Sequence, residues 1–389
     1  MTQDKKLALV LSSGGARSAY QAGVLMGLHK IAAEEGLSEK FHFPVIAGTS
    51  GGAINGAFLA CYADQWDLAL NTLWNHWEQL TVESVIKAAP YPVFSQAFRL
   101  MSQLSLGGHS PGANIKELLN TEPLTEMLKK SLDFKRLRAN IASGRIHGLG
   151  LTATHYATGS AVTFFQGSSQ IPPWMRSHRI GKRTVLNLKH VLASSSIPLL
   201  FPPVFIHGSY YGDGAVRMPS PLSPAIHMGA DKILAIGVRY YRSPKESFDL
   251  NASARMPNIQ IADIMGVLMN SIFLDALDSD IERLNRINTT LKLLPKDSYQ
   301  EHPEKLRQIP VLAIHPSIDL ALLAKDEFHR FSWIFKHFLK GLGASDVYGS
   351  DLLSYLAFEK SYTTKLLNLG AQDALTHKRA FIEWLLKPI

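Results

Sequence analysis

VIAGTSGGAINGAF, residues 45–58, decides how the chain is read. A short apolar run, Val45 to Ala47, ends in Gly48-Thr49-Ser50-Gly51-Gly52, and a segment of small apolar residues continues to Ala60. A strand that becomes a helix through Gly-x-Ser-x-Gly has the nucleophile-elbow arrangement. The serine occupies a sharp turn, and bulkier neighbours would clash with the strand or block a reactant. The helix that follows directs its free N–H groups at the reacting centre and favours negative charge there. Ser50 is therefore a candidate nucleophile, with Gly48, Gly51 and Gly52 as the elbow. A plain glycine-rich helix entry is the competing reading.

Upstream, Leu7 to Leu11 is a continuous apolar run of the kind found in parallel sheets buried on both faces. SSGGARS follows as a glycine turn, and AYQAGVLMGLHKIAAEEG carries helical apolar spacing up to Gly36. Strand, helix, strand, helix in this order predicts a parallel crossover unit. Both glycine turns then lie at the carboxyl edge, where open α/β sheets bind ligands. Gly14 and Gly15 can aim backbone N–H groups at a common point, as an oxyanion requires. Arg17 starts the next helix, where it orients the loop or meets a phosphate. A phosphate-binding turn or a tight connection remains open, but no Gly-Lys-Ser/Thr follows to make a Walker loop.

Farther along, residues 66–146 read as mainly helical, and GLGLTATHYATGSAVTFFQG as two strands turning near Thr158-Gly159-Ser160. SSQIPPWMRSHRIGKRT reads as an irregular basic loop. A helix, a proline-rich turn and a short strand ending at Tyr211 lead to Gly212-Asp213-Gly214. Asp-Gly is common in surface turns. Here an aromatic strand precedes Asp213, and prolines and an apolar helix follow. That setting also suits a partly desolvated carboxylate able to take a serine's proton. KILAIGVRYY and IPVLAIHPS are further strands, the second rejoining the sheet at 309–315. Residues 260–292 and 320–386 are helical, with breaks at Gly341–Gly349 and near Gly370.

The 389 residues are 46% hydrophobic and 19% charged, which fits a globular protein with a sizeable core. The net charge of +8 favours an anionic partner: nucleic acid, a phospholipid surface or a phosphorylated ligand. No nucleic-acid-binding motif accompanies it, so nucleic acid is not expected. Cys61 is the single cysteine, which excludes an intrachain disulfide and a cysteine metal cluster. The lysines before Leu7 superficially suggest a signal peptide, but the apolar run is shorter than the roughly 7–15 residues of a secretory core. No run approaches the about 20 apolar residues of a membrane span. A cytoplasmic or peripheral membrane location is expected. The 15 histidines show no ligand spacing, and neither His-Glu-x-x-His nor a calcium loop occurs, so no metal or cofactor is expected.

LSSGGARSAYQAGVL, VIAGTSGGAINGAF, VLASSSIPLLFPPV and YYGDGAV occur in that order, and over residues 7–230 the chain resembles the patatin-like phospholipase family. The resemblance implies an α/β fold, a three-layer α/β/α sandwich with a mainly parallel central sheet. It implies hydrolysis of phospholipid or other acyl-ester lipids by a Ser-Asp dyad, with Ser50 as nucleophile and Asp213 as base. The Gly14, Gly15 and Arg17 loop would form the oxyanion hole. Residues 7–230 would be the catalytic core. Residues 231–389, read from pattern alone, would complete the sheet and add C-terminal helices.

Ser13 and Ser18 stand where the family's first motif usually has glycines, and Ala215 ends the third motif in place of another. A positive φ at Ser13 would carry a strain that glycine avoids. Arg176, Arg179, Lys182 and Arg183 are candidates for contact with anionic headgroups, against the plainer reading of a solvated charge run. FHRFSWIFKHFLKGL, residues 328–342, is either a membrane-surface helix or a core helix with a basic outer face. Ala88 to Leu106 reads as a lid, an acyl-chain wall or a packed helical connection. One rival reading is an α/β-hydrolase using a histidine such as His315, although Ser50 arrives early for that sheet. Another is a non-catalytic module that holds a phosphate or a lipid headgroup.

Overall fold

Strands β1 (Leu7–Leu11) and β2 (Val45–Thr49), the apolar runs before the two glycine turns, lie side by side and parallel. The computed structural model describes residues 6–87, 119–253, 258–295, 306–331, 333–341, 343–345 and 348–387. Helix α1 (Ala19–Glu34) connects the two strands, and α2 (Gly51–Cys61) and α3 (Trp66–Glu78) follow β2. Alternate residues of one strand point to opposite faces, and here both faces are covered. Leu9, Leu11 and Ile46 join a core with α1 and α2, whereas Ala8, Val10 and Val45 join a second core with residues of the helices Ser223–His227 and Asp275–Leu293. A three-layer α/β/α sandwich results.

The remaining strands are β3 (Gly148–His155), β4 (Ser160–Gly167), β5 (Trp174–Arg176), β6 (Arg179–Arg183), β7 (Val204–Ile206), β8 (Ser209–Asp213), β9 (Lys232–Ile236) and β10 (Val311–Ile314). Their order is β10-β9-β1-β2-β3-β4-β6-β5, with β8 on β3 and β7 on β8. The pairs from β10 through to β3 are parallel, as is β4 with β6; β3–β4, β3–β8, β5–β6 and β7–β8 are antiparallel. Residues after 230 thus supply β9 and β10, and the run at 309–315 does rejoin the sheet.

One feature of β3 organises everything near the site. Its first five residues pair with β2, ending at Thr49↔Thr152. Its last three pair with β8, beginning at Ala153↔Asp213. β8 therefore occupies the space beyond the end of β2, and Asp213 sits one rung past Thr49, where the chain turns at Ser50.

Three local readings need correction. Residues 174–183 are not an irregular loop but the β5–β6 hairpin, because Trp174 stacks between Phe165 (ring centroids 5.0 Å) and His227 (4.9 Å) and so anchors an edge ribbon. β8 runs on to Asp213 and does not end at Tyr211. Gly370 breaks nothing: the helix Lys360–Thr376 continues through it. A Cβ at Gly370 would lie 2.3 Å from the Tyr20 carbonyl oxygen, so this glycine lets the helix cross α1 at close range. Within 328–342, Phe328, Phe331, Phe335 and Leu339 are buried, Lys336 is half-buried, and Trp333, His337 and Lys340 are exposed, the pattern of a core segment with a basic outer face. Residues 88–106 lie outside the described residues.

Candidate active site

Ser50 terminates β2 with φ 56° and ψ −127°, and α2 begins at the next residue. A side chain with that backbone is strained by on the order of 1–3 kcal/mol and persists only where its surroundings enforce it. The enforcement is visible. A Cβ on Gly48 would lie 2.4 Å from the Gly52 carbonyl oxygen, and one on Gly52 would lie 2.3 Å from the Leu11 carbonyl oxygen. The elbow closes only because both positions lack a side chain. The first ladder bonds of α2 are Ala53 and Ile54 N–H to the Ser50 carbonyl (2.9 and 3.3 Å), so the amides of Gly51 and Gly52 belong to the helix's free amino end.

Ser50's own amide is engaged elsewhere. It donates to Ser194 Oγ at 3.1 Å, and the Ser194 hydroxyl donates to the Thr152 carbonyl at 2.5 Å. Ser194 closes the helix Leu188–Ser194 and is completely buried. This one hydroxyl ties the turn to the middle of β3.

Asp213 is also completely buried. Its backbone is fixed by its N–H to the Ser196 carbonyl (2.9 Å) and by Thr154 Oγ1–H to its own carbonyl (2.7 Å). Oδ1 accepts the Ala215 amide at 2.9 Å. Burial pushes the carboxyl up to about 7, against the opposing pull of the neighbouring Ser50 hydroxyl and the Ala215 amide. Oδ2 is buried without a well-aligned hydrogen-bond partner among the described residues, so the Ser50 hydroxyl is its neighbour without being locked onto it. A carboxylate with a spare, desolvated oxygen beside a serine is equipped to take that serine's proton.

The first glycine turn reaches the same place. Gly15 lines one cavity together with Ser50 and Gly51, and it adopts φ 54°. Gly14, extended at φ 171°, accepts the Arg17 amide on its carbonyl at 3.0 Å. Ser13 is not among the residues with positive φ, so the expected strain does not arise, and its hydroxyl donates to the Phe273 carbonyl at 2.5 Å. Ser18 is fully buried, with its Oγ lacking a hydrogen-bond partner among the described residues and lying beside Gly51.

Arg17 takes the first of the two roles expected of it, orienting the loop. Its guanidinium is buried, donates to Ser354 Oγ (2.7 Å) and Asp351 Oδ1 (2.9 Å), and lies 4.4 Å over the Tyr355 ring. These contacts commit it to the helix Ser350–Leu356. Through these contacts the Arg17 side chain clamps the loop. The basic cluster divides likewise. Arg183 donates to the carbonyls of Gly167, Ser168 and Ile171 and covers the Phe165 ring, which is a structural task. Arg176, Arg179 and Lys182 lie on the β5–β6 hairpin, and Arg179 is paired through β4 and β3 to the rung beside Asp213. At about 4.8 Å per strand that is roughly 14 Å from β8. His315, the rival base, sits past the end of β10 with β9 and β1 between it and β2, and its Nε2 faces Asp278 at 3.5 Å.

From Ser50 a cavity runs between α2 and α3, the helix Glu122–Ser131 and the turn at 195–201. Its walls include Ile54, Phe58, Leu73, Trp77, Val85, Leu128, Ile197, Phe201 and Phe358. It is narrow, with a volume of about 70 Å³. His76 is in the wall as well, and burial holds its imidazole below the ordinary value, in keeping with the apolar lining. Beneath the cavity a buried chain of hydrogen bonds joins the two glycine turns: Gln21 to the Ser12 carbonyl (2.8 Å), Asn55 to Gln21 (3.0 Å) and Trp77 to Asn55 (2.8 Å). Sequence reasoning missed Ser194 and Asn55. The signal for Asn55 was present, as an amide in the otherwise apolar helix GGAINGAFLAC.

Fold and site define an α/β sandwich protein whose serine turn and buried aspartate meet at the carboxyl edge. The family model of patatin-like phospholipases matches residues 9–226, more than half of the sequence, and the chain belongs to that family. Two solved structures of human GIVD cytosolic phospholipase A2 are also similar. The first, in complex with methyl γ-linolenyl fluorophosphonate, is 13% identical, with 98% of this chain and 58% of that chain covered, at a TM-score of 0.44. The second, which also contains terbium chloride, is 14% identical, with 98% and 59% covered, again at 0.44. The chain therefore spans less than two thirds of the length of these human chains.

Proposed function

We propose that the protein is a lipid acyl hydrolase in which Ser50 and Asp213 act as a dyad. Asp213 takes the hydroxyl proton as Ser50 Oγ attacks the acyl carbonyl. The amides of the Gly14–Gly15 turn and the amino end of α2 hold the negative charge that develops on the carbonyl oxygen. Collapse of the tetrahedral intermediate expels the alcohol or lysolipid, which carries away the proton from Asp213, and leaves an acyl-serine. Asp213 then deprotonates a water that attacks the ester, and the fatty acid departs as Ser50 regains its proton. The narrow cavity suits one extended acyl chain, and the leaving group stays outside it.

The observation that carries this reading is the register of β3, which brings a desolvated carboxyl beside a strained serine at the mouth of an apolar cavity. Wild type, Ser50→Ala and Asp213→Ala should be compared on a panel of phospholipids and acyl esters, with fluorophosphonate labelling alongside. Both variants are expected to stay folded and lose nearly all turnover, and labelling should vanish in Ser50→Ala. Full activity in either variant contradicts the assignment. Among the described residues no helix is long and apolar enough to cross a membrane.

A further inference from the structure

Between residues 134 and 212 the chain contains nine lysines and arginines and no aspartate or glutamate. The flanking acids do not offset this at the surface near the site. Asp133 caps the helix Phe134–Ala142, and Asp213 is the buried carboxyl of the site. Four of the nine precede β3 and others run back along β6, but Arg176 and Arg179 fall at the end of the sheet where β3 pairs with β8, so the sector of the carboxyl edge beyond the cavity mouth carries cations. Arg176 and Arg179 flank the exposed β5–β6 turn, and Arg217 reaches the β3–β4 turn through its bond to the Gly159 carbonyl at 2.7 Å. Asp280 is the acid that lies near Arg179, and it is largely buried against the Leu222 amide.

The same edge exposes large apolar side chains. Leu199 follows Ile197 and precedes Phe201, both in the cavity wall, yet Leu199 itself is 71% exposed. The turn holds it at φ 66°, a region that non-glycine residues seldom adopt. A leucine is thus held in an unfavourable backbone with its side chain pointed at solvent beside the mouth. On the β7–β8 hairpin, Phe205 (52% exposed) and Tyr210 are cross-strand partners with ring centroids 5.1 Å apart. By alternation along the strands they share a sheet face with Tyr156, whose hydroxyl lies over Gly212, and with Arg179 and Arg176.

We propose that this edge docks on an anionic phospholipid bilayer. Leu199, Phe205 and Tyr210 enter the headgroup zone, and Arg176, Arg179 and Arg217 meet lipid phosphates. Amphipathic aromatic rings and arginines are the side chains that suit such an interface. Negative lipid surfaces attract basic segments, each cation contributing about fivefold in affinity. Docking would turn the cavity mouth toward the membrane. That consequence rests on the hydrolase reading, but binding to the bilayer does not.

The test uses the full chain carrying Ser50→Ala, so that vesicles are not consumed, with flotation on phosphatidylcholine vesicles alone or mixed with phosphatidylglycerol. Binding should be at least about tenfold stronger to the anionic vesicles and should weaken as salt rises. Leu199→Ser and Phe205→Ser, added singly, should each weaken it by about tenfold. Arg176→Gln and Arg179→Gln should each weaken it by about fivefold and flatten the salt dependence. Each variant should unfold at its parent's temperature. Equal binding to both vesicle types, or parental binding by both serine variants, overturns the proposal. So does tight binding to duplex DNA that the serine variants leave unchanged, which would mark the edge as a general polyanion surface. Absence of ester hydrolysis by wild type would count against the dyad alone, because vesicle binding is measured without it.

Discussion

Asp213→Asn separates the chemistry of the site from its effect on stability. In the unfolded chain this carboxyl titrates near the ordinary 3.8, and in the folded protein burial pushes it up to about 7. Below pH ~4 it is neutral in both states and costs folding nothing. As pH rises, the unfolded chain ionises first, so folding loses stability steadily until the folded carboxyl ionises as well, near pH 7. The sign is that of a raised acid: its stabilising effect is present at low pH and lost toward neutrality. A displacement of about three pH units corresponds to about 4 kcal/mol. Asparagine keeps the Oδ1 acceptor for the Ala215 amide and carries no charge to bury. The variant should therefore match wild type near pH 4, apart from a constant offset, and gain on it by about 4 kcal/mol by pH ~8. At about 2.1 cal/mol/K per residue this is about 5 °C in the unfolding midpoint.

The assay is paired thermal unfolding of the two proteins from pH ~4 to ~8, with ester hydrolysis measured on the same samples. Asparagine should lower turnover by about 10²–10⁴, the usual worth of a positioned base. In wild type, kcat/KM should rise tenfold per pH unit and level off near 7. A stability difference that stays flat across the range would refute the reasoning, because it would mean that the carboxyl titrates alike in both states. Higher stability of wild type at high pH would refute it more strongly.

Two further perturbations probe the supports of the site. Ser194→Ala removes the hydroxyl that accepts from the Ser50 amide and donates to the Thr152 carbonyl. Stability should fall by about 1–3 kcal/mol, kcat and fluorophosphonate labelling should slow, and KM should hold; unchanged labelling would deny Ser194 its positioning role. Arg17→Met leaves Asp351 without its ion-pair partner and strips Tyr355 of the guanidinium that covers it. Calorimetry should show a loss of about 3 kcal/mol or more, whereas a normal melting point with abolished turnover would return Arg17 to the oxyanion hole.

Ser50 was legible because its instructions are local. Strand, glycines, serine and helix fall within one continuous stretch, and Gly48 answers to a clash with its near neighbours Gly52 and Ala53, although Gly51 and Gly52 answer to Ser18 and Leu11 of the first turn and strand. The sheet core was legible for the same reason, since continuous apolar runs fit strands buried on both faces. Asp213 was different. Its neighbourhood allowed a base, but its position depends on β3 changing partners between Thr152 and Ala153, a matter of register that no local pattern encodes. The choice between the two roles of Arg17 is not legible locally, because its partners, Asp351 and Ser354, lie more than three hundred residues away. Gly370 reads as a break in the local pattern because the helix it touches, α1, is equally remote in sequence. The β5–β6 hairpin was hidden by polar composition, and Trp174 overrides that composition by stacking with Phe165 and His227.

Four violations of local preference gather at the site. Ser50 and Leu199 hold positive φ, Asp213 Oδ2 and Ser18 Oγ are buried without partners among the described residues, and all four border the cavity or the turns that form it. Strain and unsatisfied polarity survive folding only where packing elsewhere offsets them. Here the sheet, the α1 crossing and the Arg17 clamp hold the four in place. Relieving the strain at Ser50 or the buried charge of Asp213 itself, and not removing their supports, should make the protein more stable and the site less able to react, which is the direction expected of Asp213→Asn above pH ~5.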